Sequence, residues 1–201
     1  VHELNSKWDS NIPLLLMNSF YTDKEISEFV DNSDLPIITF KQNMFPRLDP
    51  KTLLPLSPDE WGDQGWCPPG HGDFYNCIEQ QGILRSLIED GKDILFMSNA
   101  DNLGAVADSK ILNHMIEKEI PFLMEVTPKT PADVKGGTLY EQNGKLKLLE
   151  IAQVPKEHID DFYSQDKFSV FNTNNIWINL IALEQRLREG PLNLRSEERR
   201  G

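Results

Sequence analysis

Apolar residues cluster in short runs separated by stretches of helical spacing over the first 126 residues of the chain. The runs have the length of single strands and are almost continuously apolar, which is typical of strands buried in a parallel sheet. The stretches between them repeat apolar residues at intervals of three and four, which predicts amphipathic helices. The alternation predicts a doubly wound α/β sheet with strands at 12–17, 36–40, 93–98 and 121–126.

The predicted helices of this half have recognisable ends. Thr22 and Glu25 have the spacing of a capping box at the start of the first helix. Gly82 interrupts the helical pattern that follows residue 73, and Gly91 has the position of a C-terminal stop. A third helix is predicted around 111–116.

The second half has a different pattern. Asn143-Gly144 lies between the segments 138–142 and 145–150, and this dipeptide predicts a β-hairpin. The remaining predicted elements are a short helix at 156–163, a short strand at 168–171, an amphipathic helix from Asn174 to near Gly190, and a charged, frayed tail at 191–201.

A long proline-rich connection, 42–69, leads into the segment Pro-Pro-Gly-His-Gly-Asp at 68–73. Loops of this length inside a domain are usually functional. The prolines stiffen the backbone, and the glycines allow it to approach a ligand closely. Since a helix is predicted to follow, free N–H groups at its start favour an anionic or polar ligand. The alternative is a tight turn in which His71 is an ordinary surface histidine.

Composition narrows the class of protein. The chain has 201 residues, 39% of them hydrophobic, and a formal net charge of −12, which fits one globular domain or a large part of one. The negative charge argues against binding to nucleic acid or to an anionic membrane. A phosphate ligand stays compatible, because a divalent cation can offset the charge locally.

Two cysteines without a Cys-x-x-Cys spacing argue against a disulfide framework or a zinc site and favour a reducing, cytoplasmic compartment. No apolar run reaches the length of a membrane span, and no secretory leader is recognisable. The chain begins with Val1 rather than methionine, so we expect a fragment or a processed product.

Polar residues at strand ends are the candidate ligand-binding groups, because ligands of open α/β sheets bind beyond the carboxyl ends of the strands. Asp101, after the third strand, is a hard oxygen ligand suited to Mg²⁺; the alternative is a cap of the next helix. Glu150 and Asn172 could bind hydroxyl groups, and their alternatives are a solvated strand end and an Asx turn. The other strand-end candidates are Gln42, Asn99, Lys129, Asp133, Lys135, Asn174 and Asn175.

The lysines among them could neutralise phosphate oxygens, and solvated surface lysines are the alternative. Motifs of serine hydrolases and zinc proteases and a complete P-loop are missing from the sequence, so hydrolytic triads and zinc chemistry have no support.

Several segments together resemble the eukaryotic UDP-glucose pyrophosphorylases, the UTP–glucose-1-phosphate uridylyltransferase family. The resemblance runs in order from about residue 4 to about residue 187 and weakens in the tail. The segments are LMNSF at 16–20, QNMFPR at 42–47, PPGHGD at 68–73, SNADNLG at 98–104, ADVKGGT at 132–138, EIAQVP at 150–155 and FNTNN at 171–175.

This resemblance implies a Rossmann-like catalytic domain of the nucleotide-diphospho-sugar transferase type at 1–190, with a mixed, mostly parallel sheet. It also implies Mg²⁺-dependent, reversible formation of UDP-glucose and pyrophosphate from UTP and glucose 1-phosphate, without a protein nucleophile. The resemblance is also compatible with a homo-oligomer. The implied roles are Gln42 and Gly70 at the uracil, Ala100 at the nucleotide, Asn99 at the ribose or sugar, His71 at the sugar phosphate, Asp101 at the metal, and Glu150 and Asn172 at the glucose hydroxyls.

The resemblance also implies that the domain is incomplete at both ends. The glycine-rich nucleotide loop of the family is expected before Val1, and its catalytic lysine and C-terminal β-helix after Leu187. We therefore expect the chain alone to be inactive. Two other functions stay open: a UDP-sugar-binding or regulatory module without catalysis, and a related pyrophosphorylase for UDP-N-acetylglucosamine or a broader range of sugars. The sequence His71-Gly72-Asp73 favours glucose as the sugar of the substrate.

Overall fold

The computed structural model describes residues 1–132, 136–190 and Leu192. The contacts within the chain form two compact units, Val1–Ser86 and a second one from Leu87 onward. The division into a catalytic domain at 1–190 and a tail at 191–201 stays a prediction. Asp133 and Lys135 lie outside the described residues, as does most of the tail. In the part of the chain described, no helix is long and apolar enough to cross a membrane.

The first unit is built on one parallel pair of strands. Leu14 pairs with Ile37 and Met17 with Phe40, which confirms the first predicted β-α-β unit. The elements are α1 His2–Trp8, β1 Leu14–Asn18, α2 Asp23–Val30, β2 Ile37–Lys41, β3 Phe45–Pro46, α3 Pro58–Trp61, β4 Trp66–Cys67 and α4 Phe74–Gln80, followed by α5 Ile83–Glu89, in which the boundary between the units falls.

The capping box predicted at α2 is wrong. Thr22 occupies the N-cap position, but its side chain does not cap the helix. Its hydroxyl instead accepts a hydrogen bond from the backbone N–H of Ser19 at 3.2 Å. The hydroxyl therefore stabilises the turn between β1 and α2.

The proline-rich connection folds back on itself. β3 and β4 pair antiparallel, with Phe45 opposite Cys67, and a further bridge joins Leu48 to Pro55. The connection therefore leaves β2 and returns to it before the segment at 68–73, which forms a 3-10 turn at His71–Asp73. This return brings the end of β2 and the glycine-rich segment together.

The second unit contains a three-stranded sheet in the order β5-β9-β6 and a separate hairpin of β7 and β8. β9 runs antiparallel to both neighbours, so β5 and β6 are parallel to each other although β9 separates them. The elements are β5 Ile94–Met97, α6 Ser109–Glu117, β6 Phe122–Pro128, β7 Thr138–Gln142, β8 Lys145–Leu149, α7 Ile159–Tyr163, β9 Val170–Asn179 and α8 Leu180–Arg188.

The predicted helix over 174–190 is only half right. Residues up to Asn179 belong to β9, and the helix begins at Leu180. Ile176, Trp177 and Ile178 are all buried, because β9 is the central strand. A short apolar run of this kind does not distinguish a buried strand from a helix.

Parallel and antiparallel pairing both occur, as predicted, but in separate sheets and not in one mixed sheet. Parallel pairing does not predominate: among the described strands only β1 and β2 pair directly in parallel. The predicted hairpin is confirmed. Asn143 and Gly144 have φ angles of 55° and 71°, as its two-residue turn requires.

Candidate functional site

Gln42 and Gly70, predicted to act together, are in direct contact. Gln42 follows β2, and its Oε1 accepts a hydrogen bond from the backbone N–H of Gly70 at 3.1 Å. Gly70 has a φ of 94°, which side-chain-bearing residues rarely adopt. A Cβ there would meet no atom within 4 Å, so the backbone conformation and not lack of space requires glycine.

The carboxylate of Asp73 holds the same region together through hydrogen bonds, which we call the Asp73 clamp. Its carboxylate accepts hydrogen bonds from the backbone N–H of Asn43 at 2.7 Å, from Asn43 Nδ2 at 3.0 Å and from Cys77 Sγ at 3.0 Å. Burial acts to raise the pKa of Asp73, but the donors on Cys77 and Asn43 outweigh it and hold that pKa below its usual range. Asn43 follows Gln42 directly, so the clamp ties the end of β2 to the segment that carries Gly70.

The thiol of Cys77 is the least accessible member of this cluster. Burial, together with the hydrogen bond to Asp73, raises the pKa of Cys77 to about 12. The thiol therefore stays protonated and acts as a hydrogen-bond donor. The sequence singled out the glycines and His71 in this segment but assigned no role to Asp73 or Cys77.

His71 follows Gly70 in the 3-10 turn and is exposed. Both the predicted ligand contact and the alternative of a surface histidine stay compatible with this position. A cavity of about 340 Å³ elsewhere in the first unit is lined by none of the predicted site residues.

In the second unit, the turn after β5 carries Asn99, Ala100 and Asp101. The backbone N–H of Asn102 donates to the Asn99 carbonyl at 3.1 Å and closes the turn. Ala100 and Asp101 are exposed. The alternative reading of Asp101 as a helix cap is wrong, because Asp108 caps α6 by accepting from the Lys110 N–H at 2.7 Å.

A bulge in β9 holds this turn. Met124 pairs with Ile176 whereas Val126 pairs with Asn172, so three residues of β9 face one residue of β6. Within the bulge Asn174 has a φ of 57°, a left-handed conformation that asparagine tolerates better than most residues. Its Nδ2 donates to Asn99 Oδ1 at 2.7 Å.

Glu150 and Asn172 both lie beside Gly137. The backbone N–H of Asn172 donates to the Gly137 carbonyl at 2.8 Å. A Cβ on Gly137 would lie 2.8 Å from Glu150 Cδ and 3.0 Å from its Oε2. Glycine at 137 is therefore a condition for this placement of the Glu150 carboxylate. Asn172 Oδ1 accepts from the Asn174 N–H at 2.9 Å, which is the predicted Asx-type alternative.

Lys129 is not a solvated surface lysine. It is buried, its Nζ donates to the Phe162 carbonyl at 2.9 Å, and it lies over the Phe162 ring. Burial of a charged ammonium requires such partners. Its place is therefore structural, and it joins β6 to α7.

Asp101 is the residue at which a metal contact is predicted, and its side chain is exposed. Among the described residues no group of three or more histidine, cysteine, aspartate or glutamate side chains could hold a metal ion. A cation at Asp101 would therefore take at most two such side chains from the described residues and complete its shell from elsewhere. Mg²⁺ in nucleotide enzymes uses one or two carboxylates together with phosphates and water, so the residue fits Mg²⁺.

The chain is similar to a family of nucleotide-sugar enzymes over almost its full length. A family model described as UTP–glucose-1-phosphate uridylyltransferase matches residues 1–200. The enzyme of that name from Hordeum vulgare is 49% identical over 189 residues, which cover 92% of this chain and 40% of the relative. The Saccharomyces cerevisiae enzyme is 49% identical over 199 residues, covering 96% of this chain and 40% of the relative. The chain thus spans about two fifths of these relatives.

Solved structures give the same result for the fold. The UDP-glucose phosphorylase of Trypanosoma brucei superposes with a TM-score of 0.85 at 37% identity, covering 96% of this chain and 45% of that chain. A mutant UDP-glucose pyrophosphorylase from Leishmania major, solved in complex with UDP-glucose, gives 0.82 at 33% identity, covering 94% and 44%. These similarities confirm the predicted fold class.

Proposed function

Because the chain belongs to the UTP–glucose-1-phosphate uridylyltransferase family, we propose that it carries part of the site at which UTP and glucose 1-phosphate form UDP-glucose and pyrophosphate. The names of the relatives and the complex of the Leishmania enzyme with UDP-glucose support this proposal. The chain contributes binding and orienting groups for the nucleotide and for the sugar.

The hydrogen bond from the Gly70 N–H to Gln42 Oε1 is the observation that carries the proposal. It turns the carboxamide so that its donor, Nε2, points away from Gly70. A donor at this place suits the C4 carbonyl of uracil, whereas cytosine carries an amino group at C4. Gln42 therefore selects uridine nucleotides, and the Asp73 clamp on Asn43 holds Gln42 in position.

We assign the Mg²⁺ contact to Asp101 and the neighbouring nucleotide contacts to Asn99 and Ala100. Asp101 is exposed at the end of β5, and Asn174 fixes Asn99 beside it. When bound, Mg²⁺ neutralises charge on the phosphates and on the pyrophosphate that leaves.

The sugar side is assigned to His71, Asn99, Glu150 and Asn172. A carboxylate and carboxamides together offer the acceptors and donors that sugar hydroxyls require. Gly137 keeps the space that the Glu150 carboxylate needs. The exposed imidazole of His71 suits the anionic phosphate of the sugar.

No side chain of this site needs to form a covalent bond. A phosphate oxygen of glucose 1-phosphate attacks the α-phosphorus of UTP, and the bond to pyrophosphate breaks. The protein residues position the two anions, and with bound Mg²⁺ they would offset the charge on the phosphates; positioning and charge stabilisation are the main sources of rate in such transfers. The free thiols of Cys67 and Cys77 suit a reducing compartment, and we propose a cytoplasmic location.

Calorimetry with the full polypeptide that carries this chain tests the proposal, using UDP-glucose, CDP-glucose and UDP-N-acetylglucosamine with Mg²⁺. A donor facing a donor costs about 1–3 kcal/mol, so we expect CDP-glucose to bind at least about fivefold more weakly. Equal affinity for UDP-glucose and CDP-glucose would contradict the proposed uracil site. Preferred binding of UDP-N-acetylglucosamine would contradict the assignment to glucose.

A further inference from the structure

A partly buried series of hydrogen bonds connects the sheet to the turn that carries Asp101. It starts at Glu125 of β6, which faces the bulge of β9. Glu125 Oε1 accepts from Trp177 Nε1 at 2.6 Å, and Oε2 accepts from Asn175 Nδ2 at 3.3 Å. Trp177 and Asn175 are both at least nine-tenths buried, so water has little access to their donors.

The series of hydrogen bonds continues from Asn175 to the turn itself. Asn175 Oδ1 accepts from Asn102 Nδ2 at 3.0 Å, and Asn102 Oδ1 accepts from the Gly104 N–H at 3.2 Å. Asn102 follows Asp101 directly, and its own N–H closes the turn onto Asn99. The sheet interior is thus connected to the segment 99–104 by an unbroken series of donors and acceptors.

All donors in this series point the same way, from Gly104 towards Glu125. A backbone N–H can only donate, and a carboxylate can only accept. The two ends therefore fix the orientation of both carboxamides between them, on Asn102 and Asn175. Only an all-acceptor group at position 125 satisfies both Trp177 and Asn175 at once.

We propose that Glu125 is a positioning residue for the metal- and nucleotide-binding turn, acting through Asn175 and Asn102 on the segment that carries Asp101. This inference rests on the proposed function, which gives the turn its role. Glu125 itself touches neither nucleotide nor metal in this scheme. Its carboxylate fixes the direction of the hydrogen bonds and with it the conformation of the turn.

The variant Glu125→Gln has nearly the same shape but breaks the series. Its single oxygen can serve Trp177, and its NH₂ group then faces the NH₂ group of Asn175. Turning Asn175 over moves the conflict to Asn102, and turning Asn102 over moves it to the Gly104 N–H, which cannot turn. One unsatisfied or opposed donor is therefore unavoidable.

A second substitution should repair this defect. In Glu125→Gln/Asn175→Asp the carboxylate moves one place along the series. There it accepts both from the NH₂ group that the first substitution introduces at position 125 and from Asn102. Every donor again has an acceptor. Asn175→Asp alone places two carboxylates side by side and should behave at least as badly as Glu125→Gln.

The test uses the full polypeptide and two measurements on each variant. Amide hydrogen exchange over 99–104, without ligand, reports the order of the turn, and the Mg²⁺ concentration at half-maximal UDP-glucose binding reports the site. We expect Glu125→Gln to speed exchange at Gly104 about tenfold and to raise the Mg²⁺ concentration about 10- to 100-fold, the usual effect of losing a supporting partner. The double variant should return both values to within about threefold of the parent.

Asn179→Ala is the matched control. Asn179 caps α8 at the other end of β9 by accepting from the Ala182 N–H at 2.9 Å, so its loss lowers general stability without touching the series. Unchanged exchange in Glu125→Gln, or a double variant no better than the single one, would overturn the proposal. Parent protein without Mg²⁺-dependent UDP-glucose binding would refute the proposed function instead, whatever the exchange data show.

Discussion

Asn174 Nδ2 donates to Asn99 Oδ1 at 2.7 Å and joins the bulge of β9 to the turn after β5. The two residues are 75 positions apart in the sequence. Asn174 reaches Asn99 because its backbone is left-handed, with a φ of 57°. A bulge commonly redirects a side chain next to a functional site, and here it supports the proposed nucleotide-binding turn.

Asn174→Gly and Asn174→Ala separate the side chain from the backbone. Both remove the contact to Asn99, so both should weaken UDP-glucose binding to a similar extent, about tenfold. Alanine should also destabilise the fold by about 1–2 kcal/mol relative to glycine, because a Cβ is strained in the left-handed region. Urea unfolding measures the second effect, and equal stability of the two variants would argue against the left-handed bulge.

Asp101→Asn in the full polypeptide tests the proposed metal ligand. We expect turnover to fall by about two orders of magnitude and the Mg²⁺ requirement to rise, with folding intact, because a charge stabiliser is lost. Asp108→Ala is the control, since Asp108 is the residue that caps α6. It should lose about 1 kcal/mol of stability and keep a normal Mg²⁺ titration. The reverse pattern in the two variants would contradict the assignment.

The pH dependence of the stability of Asp73→Asn tests the Asp73 clamp. The pKa of Asp73 is lowered in the fold, so its stabilising contribution is present above the ordinary value of 3.8 and is lost as pH falls towards the folded value. We expect the variant to be about 1–3 kcal/mol less stable at pH 7, with the difference from the parent narrowing below the ordinary value. Urea unfolding at several pH values measures this.

The control for that experiment is Cys77→Ser, which retains a hydroxyl donor for Asp73. It should keep the pH dependence of the parent. A constant stability difference between parent and Asp73→Asn across the whole acid range would show that Asp73 is not ionised in the clamp.

Gly137→Ala tests the placement of Glu150. The added methyl group would meet the Glu150 carboxylate, so binding of UDP-glucose should weaken about tenfold while UTP binding changes little. Gly144→Ala is the control, because Gly144 has a φ of 71° and open space around it. It should cost about 1 kcal/mol of stability without affecting the sugar. Equal loss of UTP and UDP-glucose binding in Gly137→Ala would contradict a sugar-side role.

The strands β1, β2, β5 and β6 and the glycine turns were predictable because apolar runs and glycines act locally. Gly82 and Gly91, for example, both have positive φ angles and follow helices where the pattern placed the breaks. Only the first two residues of β9 fall in the strand predicted at 168–171. The rest of β9 was not predictable, because a central strand buried on both faces shows no alternation and its partners lie far away in the sequence. The same holds for Glu125 and Asp73, whose roles depend on donors brought to them by tertiary packing.

The candidate residues that follow strands were largely predictable, because chain direction places them at one edge of a sheet. Gln42 after β2 and Asn99 after β5 are of this kind, whereas the pairing of Gln42 with Gly70 was implied by the family resemblance alone. Their supporting partners were not, since Asn43, Asn174 and Asn175 could equally have been turn residues. The position of Lys129 in the interior also depended on the Phe162 carbonyl, which no local pattern indicates.

Steady-state kinetics of Gln42→Ala in the full polypeptide tests the central claim, that this chain binds the uracil of UTP through Gln42 and Gly70. Pyrophosphate release is measured with UTP varied at saturating glucose 1-phosphate, and then with the roles of the two substrates exchanged. We predict that the KM for UTP rises about tenfold or more while the KM for glucose 1-phosphate stays within about twofold of the parent. A change confined to the KM for glucose 1-phosphate, or no change in either, would contradict the account.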